Sequence, residues 1–137
     1  MGTLKSFTLL FALFVGGCAG SGSDRHLSRA GSETVLITYH VVPGKEQELT
    51  GLLAKAWEVY RQEKLVFAEP HVVVQDPGTA EQPRIVEIFT WISPSSPDHA
   101  PESITKLWDQ MQRCCERRNG GPGLEGGAVE LLAPISG

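Results

Sequence analysis

From residue 34 onward, short runs of largely apolar residues alternate with longer runs whose apolar positions recur every three to four residues. In the first run Val35, Ile37, Tyr39 and Val41 interleave with Leu36, Thr38, His40 and Val42. Both sets are mostly apolar, which predicts a central strand covered on two sides. Pro43-Gly44 ends it, because proline cannot donate to a ladder and glycine permits a sharp exit. Leu49, Leu52, Leu53, Ala56, Trp57 and Tyr60 then form a stripe of 3.6-residue period, which predicts a helix lying on a sheet. Residues 71–75 (HVVVQ), opened by Glu69-Pro70, predict a second strand. The polar segment 76–83 closes a hairpin into a third strand, residues 84–91. After a Pro/Ser-rich loop, Ile104, Leu107, Trp108, Met111 and either Cys114 or Cys115 mark a second helix. Glu102 near its start and Arg113, Arg117 and Arg118 near its end suit the helix dipole. Residues 119–127 (NGGPGLEGG) read as a flexible break and residues 128–132 (AVELL) as a last strand.

The order strand-helix-strand-strand-helix-strand predicts an α+β, ferredoxin-like domain: a four-stranded antiparallel sheet with two helices on one face. Right-handed crossovers place the first and third strands side by side at its centre. The other sheet face has no cover within the chain, so a homodimer burying sheet against sheet is expected. Matching apolar positions with apolar ones sets Val35, Ile37, Tyr39 and Val41 on one face with Val86, Ile88 and Thr90. It leaves His40 on the other face with Glu87, Phe89 and Trp91. A buried glutamate needs a partner, and His40 is the expected one.

Composition narrows the rest. A chain of 137 residues suits one domain with a real core. Its net charge of −4, with no basic cluster, points away from nucleic acid. CxxC, HExxH, P-loop and GxSxG patterns are all missing, and neither a metal site nor a cofactor is expected. The N-terminus differs in kind. Lys5 precedes an apolar run of eleven, residues 7–17, which is too short to span a bilayer as a helix and suits a secretory signal. Val15-Gly-Gly-Cys18 resembles the bacterial lipobox, which implies lipidation of Cys18 and a membrane-anchored protein of the cell envelope, at the outer membrane and facing the periplasm. Residues 1–17 are then the signal, 18–33 a Gly/Ser-rich tether, 34–134 the domain and 135–137 a tail.

Tyr39-His-Val-Val-Pro-Gly-Lys-Glu-Gln-Glu-Leu49, Glu87-Ile-Phe-Thr-Trp91 and the late aromatic helix together resemble the dimeric α/β-barrel superfamily. Within it they are most similar to antibiotic-biosynthesis-monooxygenase-like domains, over roughly residues 34–134. The resemblance implies a dimer with a pocket beside the sheet. Some relatives oxygenate polycyclic phenols or quinones without metal or flavin, while others degrade haem or isomerise lactones.

On the residues themselves, His40 is the candidate base, Glu87 its orienting partner and Trp91 the wall on which a planar substrate stacks. His99, beside Asp98 at the mouth of the second helix, is a further catalytic candidate, and His71 a weaker one. Tyr39, Phe89 and Trp108 are additional aromatic candidates for substrate contact. The same residues also read as a polar pair that satisfies itself within a core. Two functions therefore stand at this point. One is a cofactor-independent, monooxygenase-like enzyme for a small aromatic or quinone-like molecule. The other is a non-catalytic envelope lipoprotein whose barrel binds a small hydrophobic ligand or serves assembly. Cys114-Cys115 lie about 100° apart on a helix, so one is expected to pack inward and the other to be available to bridge subunits.

Overall fold

The computed structural model describes residues 30–76 and 81–132. The signal-like segment, Cys18, most of the tether and the tail lie outside the described residues.

Strand β1 spans Glu33–His40, and the backbone beyond it stays stitched into its surroundings. His40 N–H donates to Gly123 C=O, Val41 N–H to Pro83 C=O and Val42 N–H to Cys114 C=O. Gly44, with φ +92, turns the chain into helix α1, Glu46–Gln62. Leu49, Leu52, Leu53, Ala56 and Tyr60 are buried on α1, the expected stripe, while Trp57 lies half-buried at its edge. Glu46 and Glu48 sit in the first turn, where the dipole favours negative charge. Lys64, at φ +56, reverses the chain, and Leu65 N–H closes on Tyr60 C=O.

Strand β2, Val66–Asp76, is longer than the expected 71–75 because it begins before a register shift between Val66 and His71. Strand β3 is Arg84–Trp91, and a salt bridge from Arg84 to Asp76 closes the β2–β3 pair at the turn. A short 3-10 turn, Ser96–His99, leads to helix α2, Glu102–Arg113, which buries Ile104, Trp108 and Met111. Strand β4 is Leu124–Ala128, four residues earlier than the expected 128–132. Gly126 and Gly127, read as part of a break, belong to that strand. Gly123 must lack a side chain, because a Cβ there would lie 1.9 Å from the Glu116 carbonyl oxygen. Gly126 faces Ile37 at ordinary contact distance.

The four described strands form one antiparallel sheet in the order β2-β3-β1-β4, the ferredoxin-like plan. Its core lies between the sheet and the two helices, formed by Val35, Ile37, Tyr39, Ile85, Phe89, Trp91 and Leu124 against the helical stripes.

One expectation about the faces is overturned. β1 pairs with β3 in the register Val35↔Phe89, Ile37↔Glu87 and Tyr39↔Ile85. Odd-numbered residues of both strands therefore share the helix-covered face. His40 falls on the open face, opposite Glu87. Side chains alternate with period two, so an error of one residue in register exchanges the faces completely. Here the apolar-with-apolar matching misleads because the covered face includes a carboxylate.

Candidate functional site

Glu87 is 2% exposed, on β3 and under the helices. A carboxylate there needs partners, and it has two. The Tyr39 hydroxyl, from β1, donates to Oε1 at 3.1 Å. His71 Nε2, from β2, lies 3.1 Å from Oε2. Three adjacent strands thus contribute one side chain each to a single polar chain within an apolar core. The register explains how: His71 pairs with Phe89, and Tyr39 sits diagonally across from Glu87.

Aromatic rings enclose this group. The His71 imidazole stacks on the Trp57 indole with centroids 3.7 Å apart and planes 11° from parallel. This joins α1 to the edge strand β2. Phe89 meets Trp57 at 5.9 Å and Trp91 at 4.8 Å, both edge to face. Tyr60 lies 5.1 Å from Trp91 and accepts a hydrogen bond from Trp108 Nε1–H at 2.5 Å. Such ring pairs add to the stabilisation from burial alone.

Burial and the Glu87 carboxylate together hold the Tyr39 phenol well above its ordinary range. The same two causes, burial first, push Tyr60 up. Both phenols therefore stay protonated, and Tyr39 acts as a fixed donor. His71 is different, since its side chain is 21% exposed against 3% for Glu87. It is the member of the group that solvent reaches.

A cleft of about 520 Å³ lies beside it, lined by Phe67, Glu69, Pro70, His71, Thr90 and Leu131, with Val72 at its edge. Val72 and Thr90 belong to the open face of the sheet, so this cleft opens on that side, whereas the His71 imidazole turns to the covered face and Glu87. A second cleft of about 540 Å³ is lined by Arg113, Arg117, Asp109, Gln112, Cys115 and Pro122. Among the described residues no group of three or more His, Cys, Asp or Glu side chains is placed to hold a metal ion.

The residues picked out in the sequence scatter. His40 approaches the exposed Glu125 at 3.8 Å on the open face, so it does not partner Glu87. His99 is exposed at the end of the 3-10 turn and lines neither cleft. Tyr39 touches Glu87, whereas Phe89, Trp91 and Trp108 lie in the aromatic cluster with Tyr60; all four are 2% exposed or less. Cys114 and Cys115 are both buried and free, so neither is presented for a bridge to another subunit. Burial raises the Cys114 thiol and pushes the Cys115 thiol up to about 12. His71 is the residue the sequence reading underrated. The Asp76 and Arg84 charges that close the hairpin carried the missing signal. Counting back from that pair places His71 opposite Phe89, on the Glu87 face.

The fold recurs in proteins of known structure whose sequences are distant. The chain aligns with SnoaB, a cofactor-independent oxygenase from Streptomyces nogalater, at TM-score 0.58 and 11% identity, covering 77% of this chain and 98% of that one. It aligns with an antibiotic biosynthesis monooxygenase at TM-score 0.52 and 20% identity, covering 73% and 96%. A conserved protein from Methanosarcina mazei Go1 gives TM-score 0.56 and 17% identity, covering 72% and 90%. Neither a family model nor a curated protein matches the sequence. At these identities the likeness is one of architecture: the chain has the ferredoxin-like fold found in antibiotic biosynthesis monooxygenases.

Proposed function

We propose that the protein is a monooxygenase-type oxidoreductase acting without a cofactor on a small phenol or enol. In this reading the ligand sits against the exposed edge of the His71 imidazole, and His71 is the base. The carrying observation is that His71, its side chain 21% exposed, joins the solvent to a buried carboxylate. With Nε2–H donating to Glu87, the other ring nitrogen holds the lone pair that accepts a proton. Glu87 fixes the tautomer, and the Tyr39 hydroxyl fixes Glu87. The substrate anion is then electron-rich enough to reduce dioxygen. One oxygen atom enters the oxidised carbon as a carbonyl, and the other leaves as water with that carbon's hydrogen and the hydroxyl hydrogen. The architecture shared with a cofactor-independent oxygenase supports this reading.

The test is oxygen uptake with a panel of phenols, anthrones and quinols. Glu87→Gln keeps the volume but removes the charge, and a fall in turnover of roughly 10²- to 10⁴-fold is expected for loss of assisted proton transfer. Unchanged turnover in Glu87→Gln sinks the proposal. The filled interior favours a second reading, a binding protein without catalysis, since Phe89 and Trp91 are 0% exposed. That reading predicts ligand binding with no oxygen consumed by the wild type.

We also propose that the open sheet face pairs with a second copy. It presents Leu36, Val86 and Ile88 half-buried in the isolated chain, with Val72 and Val74 42% and 50% exposed. Sedimentation should give a dimer that Ile88→Asp converts to monomer; a wild-type monomer at micromolar concentration contradicts the pairing.

A further inference from the structure

We infer that the second cleft, formed by helix α2 and the loop after it, binds a small organic anion through its carboxylate or phosphate group. The cleft shares no residue with the Glu87 group, and its volume of about 540 Å³ has room for one ring with its substituent. Arg113, from the last turn of α2, and Arg117, from the loop, both line it. Neither guanidinium has an ion-pair partner among the described residues. Asp109, one helical turn before Arg113, lines the cleft as well and still makes no ion pair with it. A chain of net charge −4 thus sets two cations against one carboxylate at this spot. Gln112, on the same wall, has its Nε2 buried with no hydrogen-bond partner among the described residues. A buried donor left unsatisfied is unfavourable, and a rotation that brings the amide to a ligand oxygen relieves that cost.

The helix dipole opposes an anion here, since the end of α2 is its negative pole. Its last carbonyls, however, are occupied. Gln110 and Met111 C=O accept from Cys114 N–H, and Gln112 C=O accepts from Cys115 N–H. The arginines are therefore not consumed in capping the helix. The loop is also held on both sides of Arg117. Glu116 N–H donates to His40 C=O at 2.8 Å, and Arg118 and Gly121 exchange backbone hydrogen bonds across Asn119 and Gly120, both at positive φ. Arg117 starts from a fixed backbone, so a ligand has only its side chain to order. The planar guanidinium fork matches the paired oxygens of a carboxylate or a phosphate. Pro122 and Cys115 supply apolar contact for the rest of the ligand.

Three ring-matched probes separate charge from shape: benzoate, phenyl phosphate and the uncharged benzamide. Each is titrated into the full-length protein at low salt, following the amide signals of Gln112, Arg117 and Gly120. Both anions should shift these signals, and benzamide should bind roughly tenfold more weakly, the scale of one charge pair near a surface. The gap should shrink in ~0.5 M salt. Arg113→Gln and Arg117→Gln, exposed substitutions that leave the core untouched, should each weaken the anions by roughly tenfold as well. Asp109→Asn removes the facing carboxylate and should tighten them. Tighter binding of phenyl phosphate than of benzoate assigns the site to phosphate esters, and the reverse order assigns it to carboxylic acids. Benzamide binding as tightly as the anions, or unchanged anion affinity in both arginine variants, overturns the inference. So does the absence of shifts at Gln112, Arg117 and Gly120 with either anion.

Discussion

The two faces of the sheet are cut from the same strands, and they solve opposite problems. The covered face packs Val35, Ile37, Tyr39, Ile85, Phe89 and Trp91 under two helices and still admits a carboxylate. The open face carries Leu36, Val86, Ile88, Val72 and Val74 among Thr34, Thr38, His40 and Thr90, and its apolar side chains are less buried. The covered face wins because the β1–β3 register and the helical stripes place it there, and because Glu87 brings its own partners from the neighbouring strands. A buried charge with two hydrogen bonds is tolerated where an unpartnered one is not.

The comparison breaks most easily by truncation. Phe89→Ala on the covered face should cost about 3–5 kcal/mol in urea unfolding, whereas Val86→Ala on the open face of the monomer should cost about 1 kcal/mol. Equal costs would mean that the open face is as tightly enclosed as the core. A smaller effect comes from pH. Folding raises the Cys115 thiol from its ordinary 9.0 to about 12 and raises Tyr39 and Tyr60 as well. Groups raised in this way bind protons more tightly in the folded state, so their stabilisation is complete below pH 9. It is lost as pH rises through the folded values. Unfolding free energy should fall by about 1 kcal/mol between pH 8 and 10 from Cys115 alone. Thiol labelling should stay slow until that unfolding occurs. Stability that rises over this interval would contradict the burial of these groups.

The strand-helix alternation was legible because each element carries its own period: the β1 run, the α1 stripe from Leu49 to Tyr60, and the β3 run from Arg84 to Trp91. β4 was not, since its sequence, LEGGA, has little strand propensity; it is held by pairing with β1 and by the close approach of Gly123 to Glu116. The site was half legible. Glu87 was legible as a charge within an apolar strand. Its histidine was not, because the choice between His40 and His71 depends on register, a property of pairs of strands that no single strand's pattern contains.

That choice is also the most direct test. Oxygen uptake with the best substrate of the panel should be lost in His71→Ala and unchanged in His40→Ala, whose side chain lies on the open face beside Glu125. If His40→Ala abolishes uptake and His71→Ala leaves it intact, the site is on the other side of the sheet and the account is wrong.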